Sequence, residues 1–215
     1  MNRFPRFGND PAMDEKLNDA ELLAHASKEP ELFAVVFDRH FATIHRYLER
    51  RIGRDGADEL SGEVFRIAFE ERSRFRPIHT SALPWLYGLA TNLMLKRWRK
   101  ESRYLRALER LGNGRHELDA DLDGVDDRIA ARAGRTRLLD ALALLPACDR
   151  DVVVLVAWEE LSYEEVAVAL DIPQGTVRSR LNRARRTLRG LLGENENEPM
   201  AVEVELRREG VRDDG

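Results

Sequence analysis

From Arg178 to Arg189 the chain carries six arginines and no acid. A guanidinium is a planar fork of N–H donors that can grip a guanine edge bidentately or clamp a phosphate, and it stays charged at any physiological pH. Ser179 and Asn182 stand among these arginines as short polar groups suited to base edges or phosphate oxygens. The chemistry this pattern offers is recognition of a duplex nucleic acid.

A second constellation lies upstream, from Pro84 to Arg103. Lys96, Arg97, Arg99, Lys100 and Arg103 concentrate positive charge, and Trp85, Tyr87 and Trp98 are interleaved with it. Phe75 stands just ahead, in a loop that also carries Arg72, Arg74 and Arg76. Cations that track a backbone, with rings that stack on exposed bases at about 1–3 kcal/mol per base, suit a single strand. Asn92 offers hydrogen bonds to a base drawn out of its stack, which costs a few kcal/mol and needs a receptor. Trp85, Leu89 and Leu93 also fit a buried helix face, and for Trp85 the core is the favoured reading.

These groups need elements to aim them. In Leu161–Leu192, Ser162 followed by Glu165 is a capping box, in which each side chain satisfies a backbone N–H of the first helical turn. Val166, Ala167 and Leu170 then form an apolar face, Asp171-Ile172-Pro173 breaks the helix, and Pro173 suits the start of the next. That second helix places Val177, Leu181, Ala184, Leu188 and Leu191 on one side and Arg178, Ser179, Asn182, Arg183 and Arg186 on the other. Two short helices around a tight turn, the second apolar behind and arginine-rich in front, match a DNA-reading helix-turn-helix.

The remaining chain reads as helices and connectors. Phe33, Val36, Phe37, His40, Phe41, Ile44, Tyr47 and Leu48 recur at spacings of three and four, and Ala57, Leu60, Val64, Ile67 and Ala68 continue the pattern after a Gly53–Gly56 break. A third run starts near Ser81 and carries Trp85, Leu86, Leu89, Leu93 and Trp98. Residues 107–133 hold Gly112-Asn113-Gly114 and then six acids in about a dozen positions, the composition of a linker. Leu138, Leu139, Leu142 and Leu145, closed by Pro146, and then Val152 to Val156 are further apolar stripes. The expected organisation is a polar arm over 1–16, a helical domain over 17–106, an acidic linker over 107–133, a second helical domain over 134–193 and an acidic tail over 194–215. The expected fold class is all-α, two small helical domains joined by that linker.

Composition narrows the function. The 215 residues hold 35 Lys+Arg and 39 Asp+Glu, a net charge of −4 whose segregation matters more than its sum. One cysteine, Cys148, excludes an internal disulfide and a cysteine-built zinc site, and the five histidines do not fall at zinc-ligand spacings. No cofactor or metal is expected. No stretch approaches the ~18–20 apolar residues of a membrane span, and the first residues lack the apolar run of a signal peptide, so a soluble, cytoplasmic chain without membrane insertion is expected.

With these motifs in place, the sequence resembles the sigma-70 family of RNA polymerase sigma factors, specifically the extracytoplasmic-function type. GTVRSRLNRARRTLRGLL carries most of the likeness, with WLYGLATN plus its basic cluster and ADELSGEVF (Ala57–Phe65) in the same order. The resemblance implies a sigma-2-like domain that binds core polymerase and opens the −10 element, and a sigma-4-like domain that reads the −35 element. It assigns −35 contacts to Thr176, Arg178, Ser179, Arg180, Asn182, Arg183 and Arg186. It assigns −10 contacts to Phe75, Arg76, Asn92, Lys96, Arg97, Arg99, Lys100 and Arg103. Asp58, Glu59, Glu63 and Arg66 map onto the helix that docks on the polymerase β′ coiled-coil; the β flap and an anti-sigma factor are further expected partners. Gly62 stands where the family usually has Gln, and Thr91 and Lys96 replace an often basic and an often acidic residue. The acidic linker fits either an RNA mimic in the polymerase's RNA path or plain solvation.

Two other functions fit parts of the sequence. A helix-turn-helix regulator acting without polymerase explains Leu161–Leu192 and leaves Trp85–Arg103 unexplained. A nucleic-acid hydrolase built on Glu159, Glu160, Glu164 and Glu165 has no nucleophile–base pair, phosphate-cradling glycine loop or metal spacing behind it, and capping and solvation account better for those acids.

Overall fold

The structure, a computed structural model, describes residues 17–76, 80–110 and 137–193, with side chains through Tyr104 in the middle segment. The expected arm and tail, and most of the expected linker, lie outside the described residues. Two compact units divide the chain, Met1–Asp121 and Leu122–Gly215. Every regular element among the described residues is helical.

In the first unit, α1 (Asp19–Ala26) opens with a capping box that sequence reading missed: the Asn18 side chain accepts from the Glu21 N–H at 3.0 Å, and the Glu21 carboxylate accepts from the Asn18 N–H at 2.9 Å. A 3₁₀ turn over Pro30–Leu32 leads into α2 (Phe33–Glu71). Gly53 interrupts α2 with φ 73° and ψ 170°, a conformation essentially reserved for glycine, so the expected break is a single-residue kink. A second 3₁₀ turn, Arg72–Arg74, precedes α3 (Leu83–Arg110), which packs against α2.

The core of this unit joins Val36, Ile44, Leu48, Val64 and Ala68 of α2 with Leu86, Ala90 and Met94 of α3, all fully buried. Phe37, His40 and Phe41, expected on the buried face, are half-buried. Tyr47 and Tyr87 meet edge-on with centroids 5.0 Å apart, and the Tyr47 hydroxyl and Thr91 Oγ1 share a buried hydrogen bond of 2.7 Å. Tyr87 is therefore a core residue and not one of the stacking rings expected from the basic–aromatic pattern. Its place on the inner face follows from the expected Leu86 together with Ala90, Thr91 and Met94, while the expected Trp85, Leu89 and Leu93 are half-buried.

Asp19 knots three elements together. Its buried carboxylate accepts from His40 Nε2 at 2.6 Å, Arg39 Nη1 at 3.1 Å and the Ala82 N–H at 2.8 Å, one residue before α3. Burial raises its pKa, and the His40 hydrogen bond, the Ala82 N–H and Arg39 more than reverse this, bringing it to about 2. An ionised carboxylate only accepts, so His40 Nε2 is the donor.

In the second unit, a helical stretch over 137–143 precedes α4 (Ala147–Ala157), α5 (Tyr163–Leu170) and α6 (Gln174–Leu192). Leu142, Leu145, Val152, Leu155, Val166, Val177, Leu181, Ala184 and Leu188 form the core, with α6 packed on both α4 and α5. Leu139, Val156, Ala167 and Leu170 are half-buried and Leu191 is exposed, so each expected stripe is narrower at its edges.

Candidate nucleic-acid interface

The helix-turn-helix is built from its caps. The Ser162 hydroxyl accepts from the Glu165 N–H at 3.2 Å and the Glu165 carboxylate accepts from the Ser162 N–H at 2.8 Å, which fixes the start of α5. Asp171 ends it in the left-handed conformation, φ 51° and ψ 50°, and the Ile172 N–H returns to the Ala167 carbonyl at 3.0 Å. Asp tolerates this geometry better than most residues, and only Asp171, Ile172 and Pro173 separate α5 from α6. Pro173 caps α6, and the Thr176 N–H donates to its carbonyl at 2.8 Å.

On α6 the buried stripe Val177, Leu181, Ala184 and Leu188 turns the opposite side outward. Arg178, Ser179, Asn182, Arg183 and Arg186 are exposed; Thr176 and Arg180 are half-buried. Ser179 Oγ donates back to the Thr176 carbonyl at 3.0 Å. Sequence reading missed one partner: Asp149 of α4 accepts from Arg183 Nε at 2.6 Å and from Arg183 Nη2 at 2.5 Å. Arg183 holds the Asp149 carboxyl below the usual range against the opposing effect of burial, and Asp149 in turn raises the Arg183 pKa.

In the first unit, α3 presents Asn92, Lys96, Arg97, Arg99, Lys100 and Arg103 as exposed side chains. Phe75, half-buried, packs against Trp85 with centroids 5.2 Å apart, and Arg76 is exposed beside it. Trp85 thus joins the rim of this face and does not enter the core. Arg103 Nε donates to the Arg99 carbonyl at 3.1 Å. Arg97 Nη1 donates to Glu59 Oε2 of α2 at 2.6 Å, linking two residues expected to serve different partners. Both are well exposed, so the pair contributes little, ~0–1 kcal/mol, and either end can be recruited elsewhere.

The second half of α2 carries the other expected group. Asp58 accepts from His45 Nε2 at 2.7 Å. Arg66 donates to both oxygens of Glu63, at 2.7 and 2.6 Å, and also pairs with Glu70. Arg66 lowers the Glu63 pKa, and these two carboxylates raise that of Arg66. Asp58, Glu59 and Arg66 are exposed and Glu63 nearly so. Glu165 is taken by its capping role, and among the described residues no three metal-type side chains cluster.

Residues 36–104 match the family profile of Sigma-70 region 2 and residues 135–188 that of Sigma-70, region 4. Over 178 residues the chain is 32% identical to the RNA polymerase sigma factor CarQ of Myxococcus xanthus, covering 78% of this chain and 93% of that protein. The chain belongs to the sigma-70 family of RNA polymerase sigma factors, in the extracytoplasmic-function group. It is also 30% identical over 167 residues to the ECF RNA polymerase sigma factor SigW of Bacillus subtilis, covering 75% of this chain and 89% of that protein. Among solved structures, CnrH in complex with the cytosolic domain of CnrY shares the fold with a TM-score of 0.57 at 24% identity, over 81% of this chain and 97% of that one. The sigma factor RpoE of Bartonella quintana, solved with the anti-sigma factor NepR, gives 0.55 at 21% identity, over 78% and 98%. Membership in this family makes the chain a promoter-specificity factor of transcription initiation, and its relatives are transcription regulators rather than enzymes. No helix among the described residues is long and apolar enough to cross a membrane.

Proposed function

We propose that this sigma factor joins core RNA polymerase in the cytoplasm, reads the −35 element with the exposed face of α6 and captures the opened −10 strand on α3. The observation that carries the reading is α6 itself. Arg178, Ser179, Asn182, Arg183 and Arg186 stand exposed over a buried stripe, on a helix held by a capped partner and a three-residue turn. Thr176 and Arg180 flank that face. Asn92 with Lys96, Arg97, Arg99, Lys100 and Arg103, and the Phe75–Trp85 pair with Arg76, form the −10 side. Asp58, Glu59, Glu63 and Arg66 supply the contact to the β′ coiled-coil, and the domain over 134–193 meets the β flap. The domain over 17–106 and that over 134–193 act on the two promoter elements through the tether between them. The complexes recorded for related folds support an anti-sigma factor as a regulator, and a signal- or stress-dependent release from it.

The test is selection of promoters from a random library by reconstituted holoenzyme, with Arg178→Ala beside the natural chain. The natural chain selects a two-part consensus. Arg178→Ala loses preference at the −35 part by about 1–3 kcal/mol, the value of a bidentate base contact, and keeps the −10 part. A −35 consensus unchanged in the variant would remove Arg178 from base reading.

A further inference from the structure

Asp149 and Arg183 form an unequal pair. The Asp149 side chain is 1% exposed, in the first turn of α4, while that of Arg183 is 59% exposed on α6. Arg183 Nε and Nη2 grip the two carboxylate oxygens at 2.6 and 2.5 Å. A guanidinium offers a second fork on its outer edge, made of Nη1 and the remaining hydrogen of Nη2. Asp149 uses the inner fork and leaves the outer one to other acceptors. Its neighbours within the unit are Arg180, whose charge also acts on Asp149, and Cys148, whose Sγ lies 3.7 Å from Oδ1. The anchor belongs to α4 and not to α6, so the pair holds Arg183 in the frame of the domain core.

We propose that Asp149 is a positioning residue for promoter recognition: it presets Arg183 so that the outer fork reads one base pair of the −35 element, guanine being the base whose O6 and N7 fit a fork. The inference rests on the −35 role of α6 proposed above. An arginine already held by a buried carboxylate loses less side-chain freedom on meeting DNA, and its fork meets the base edge at a set angle. A purely structural ion pair between α4 and α6 would stabilise the unit and treat every promoter alike.

The experiment uses the full chain with core polymerase and promoters randomised over the −35 element, for the natural chain, Arg183→Ala, Asp149→Asn and the double variant. Asparagine keeps the size of Asp149 and turns one acceptor into an N–H₂ donor that opposes the guanidinium. Asp149→Asn is expected to weaken preference about 3- to 10-fold at the same base pair that Arg183→Ala weakens, to leave the other positions as they were, and to add nothing in the double variant. Equal loss at all positions, loss at a different base pair, or multiplied effects in the double variant would overturn the proposal. Circular dichroism reports whether Arg183→Ala and Asp149→Asn fold. If either does not, Arg183→Lys decides, because lysine can pair with Asp149 but has no second fork. Loss of that one preference with retained polymerase binding supports the proposal, and an unchanged preference overturns it. A natural chain that selects no −35 sequence at all would remove the promoter-reading role itself, a result distinct from the failure of Asp149 alone.

Discussion

At the scale of single residues, the fork of Arg183 changes how a substitution there is read. Arg183→Ala removes an exposed cation and also leaves the buried Asp149 carboxylate without its guanidinium partner, which is strongly destabilising. Arg178 carries no such debt, so it is the cleaner probe of recognition. Gly62 gives a second prediction at this scale. It sits inside α2 with open space where a Cβ would go, and glycine in a helix costs about 1 kcal/mol against good helix formers. Gly62→Gln is expected to stabilise the unit by about 0.5–1 kcal/mol, read as a higher urea midpoint; a lowered midpoint would mean that the exposed position is constrained in a way the fold does not show. Thr91 shows why residue-level reading reaches only part of the site. Compared with its family it looked like a lost cation, but it is 1% exposed and bonded to Tyr47, so its constraint is a partner 44 residues away. Asp149 was invisible for the same reason, since nothing local in Pro146–Arg150 announces an arginine on another helix.

Elements were more legible, because their signals are local. Ser162 and Glu165 announced the start of α5 and Pro173 that of α6 from spacing alone, and both geometries follow. The Gly53–Gly56 break was readable as a break, and the kink itself sits on Gly53 alone. Gly53→Ala is expected to cost about 1–3 kcal/mol in urea unfolding, since the added Cβ meets nothing and the whole penalty is backbone strain at φ 73°; an unchanged midpoint would show that α2 can straighten freely. The buried face of α6 was legible at Val177, Leu181, Ala184 and Leu188, whereas that of α3 was legible only to within one position. Leu86 was expected there, but with Trp85, Leu89 and Leu93 beside it, while packing on α2 selected Ala90 and Met94 with Leu86. The Asp19 knot could not be read from periodicity because it joins three separate elements. Its ionised form is favoured by folding, so its contribution is complete above about pH 4 and is lost as pH falls toward 2. The expected loss is roughly 2 kcal/mol over that window. Asp19→Asn should flatten this part of the stability–pH curve; an identical curve in the variant would clear Asp19 of the role.

At the scale of the whole molecule, two helical units each present cations on an exposed helix face, in a chain whose net charge is −4. Positive charge is concentrated on α3 and α6, and acids outnumber bases in residues 117–127 and 194–215. Free DNA meets both signs of charge, so tight binding to it by the chain alone is not expected. In the proposed function, polymerase supplies what the chain lacks: with both units placed on one promoter, two modest contacts act as one strong one. The measurement that tests this most directly is co-purification of the full chain with core RNA polymerase, followed by run-off transcription from a promoter that the holoenzyme has selected. A stable complex is expected, with a transcript of defined start that is absent with core polymerase alone. A chain that never associates with core polymerase, or associates and directs no initiation at any selected site, would contradict it.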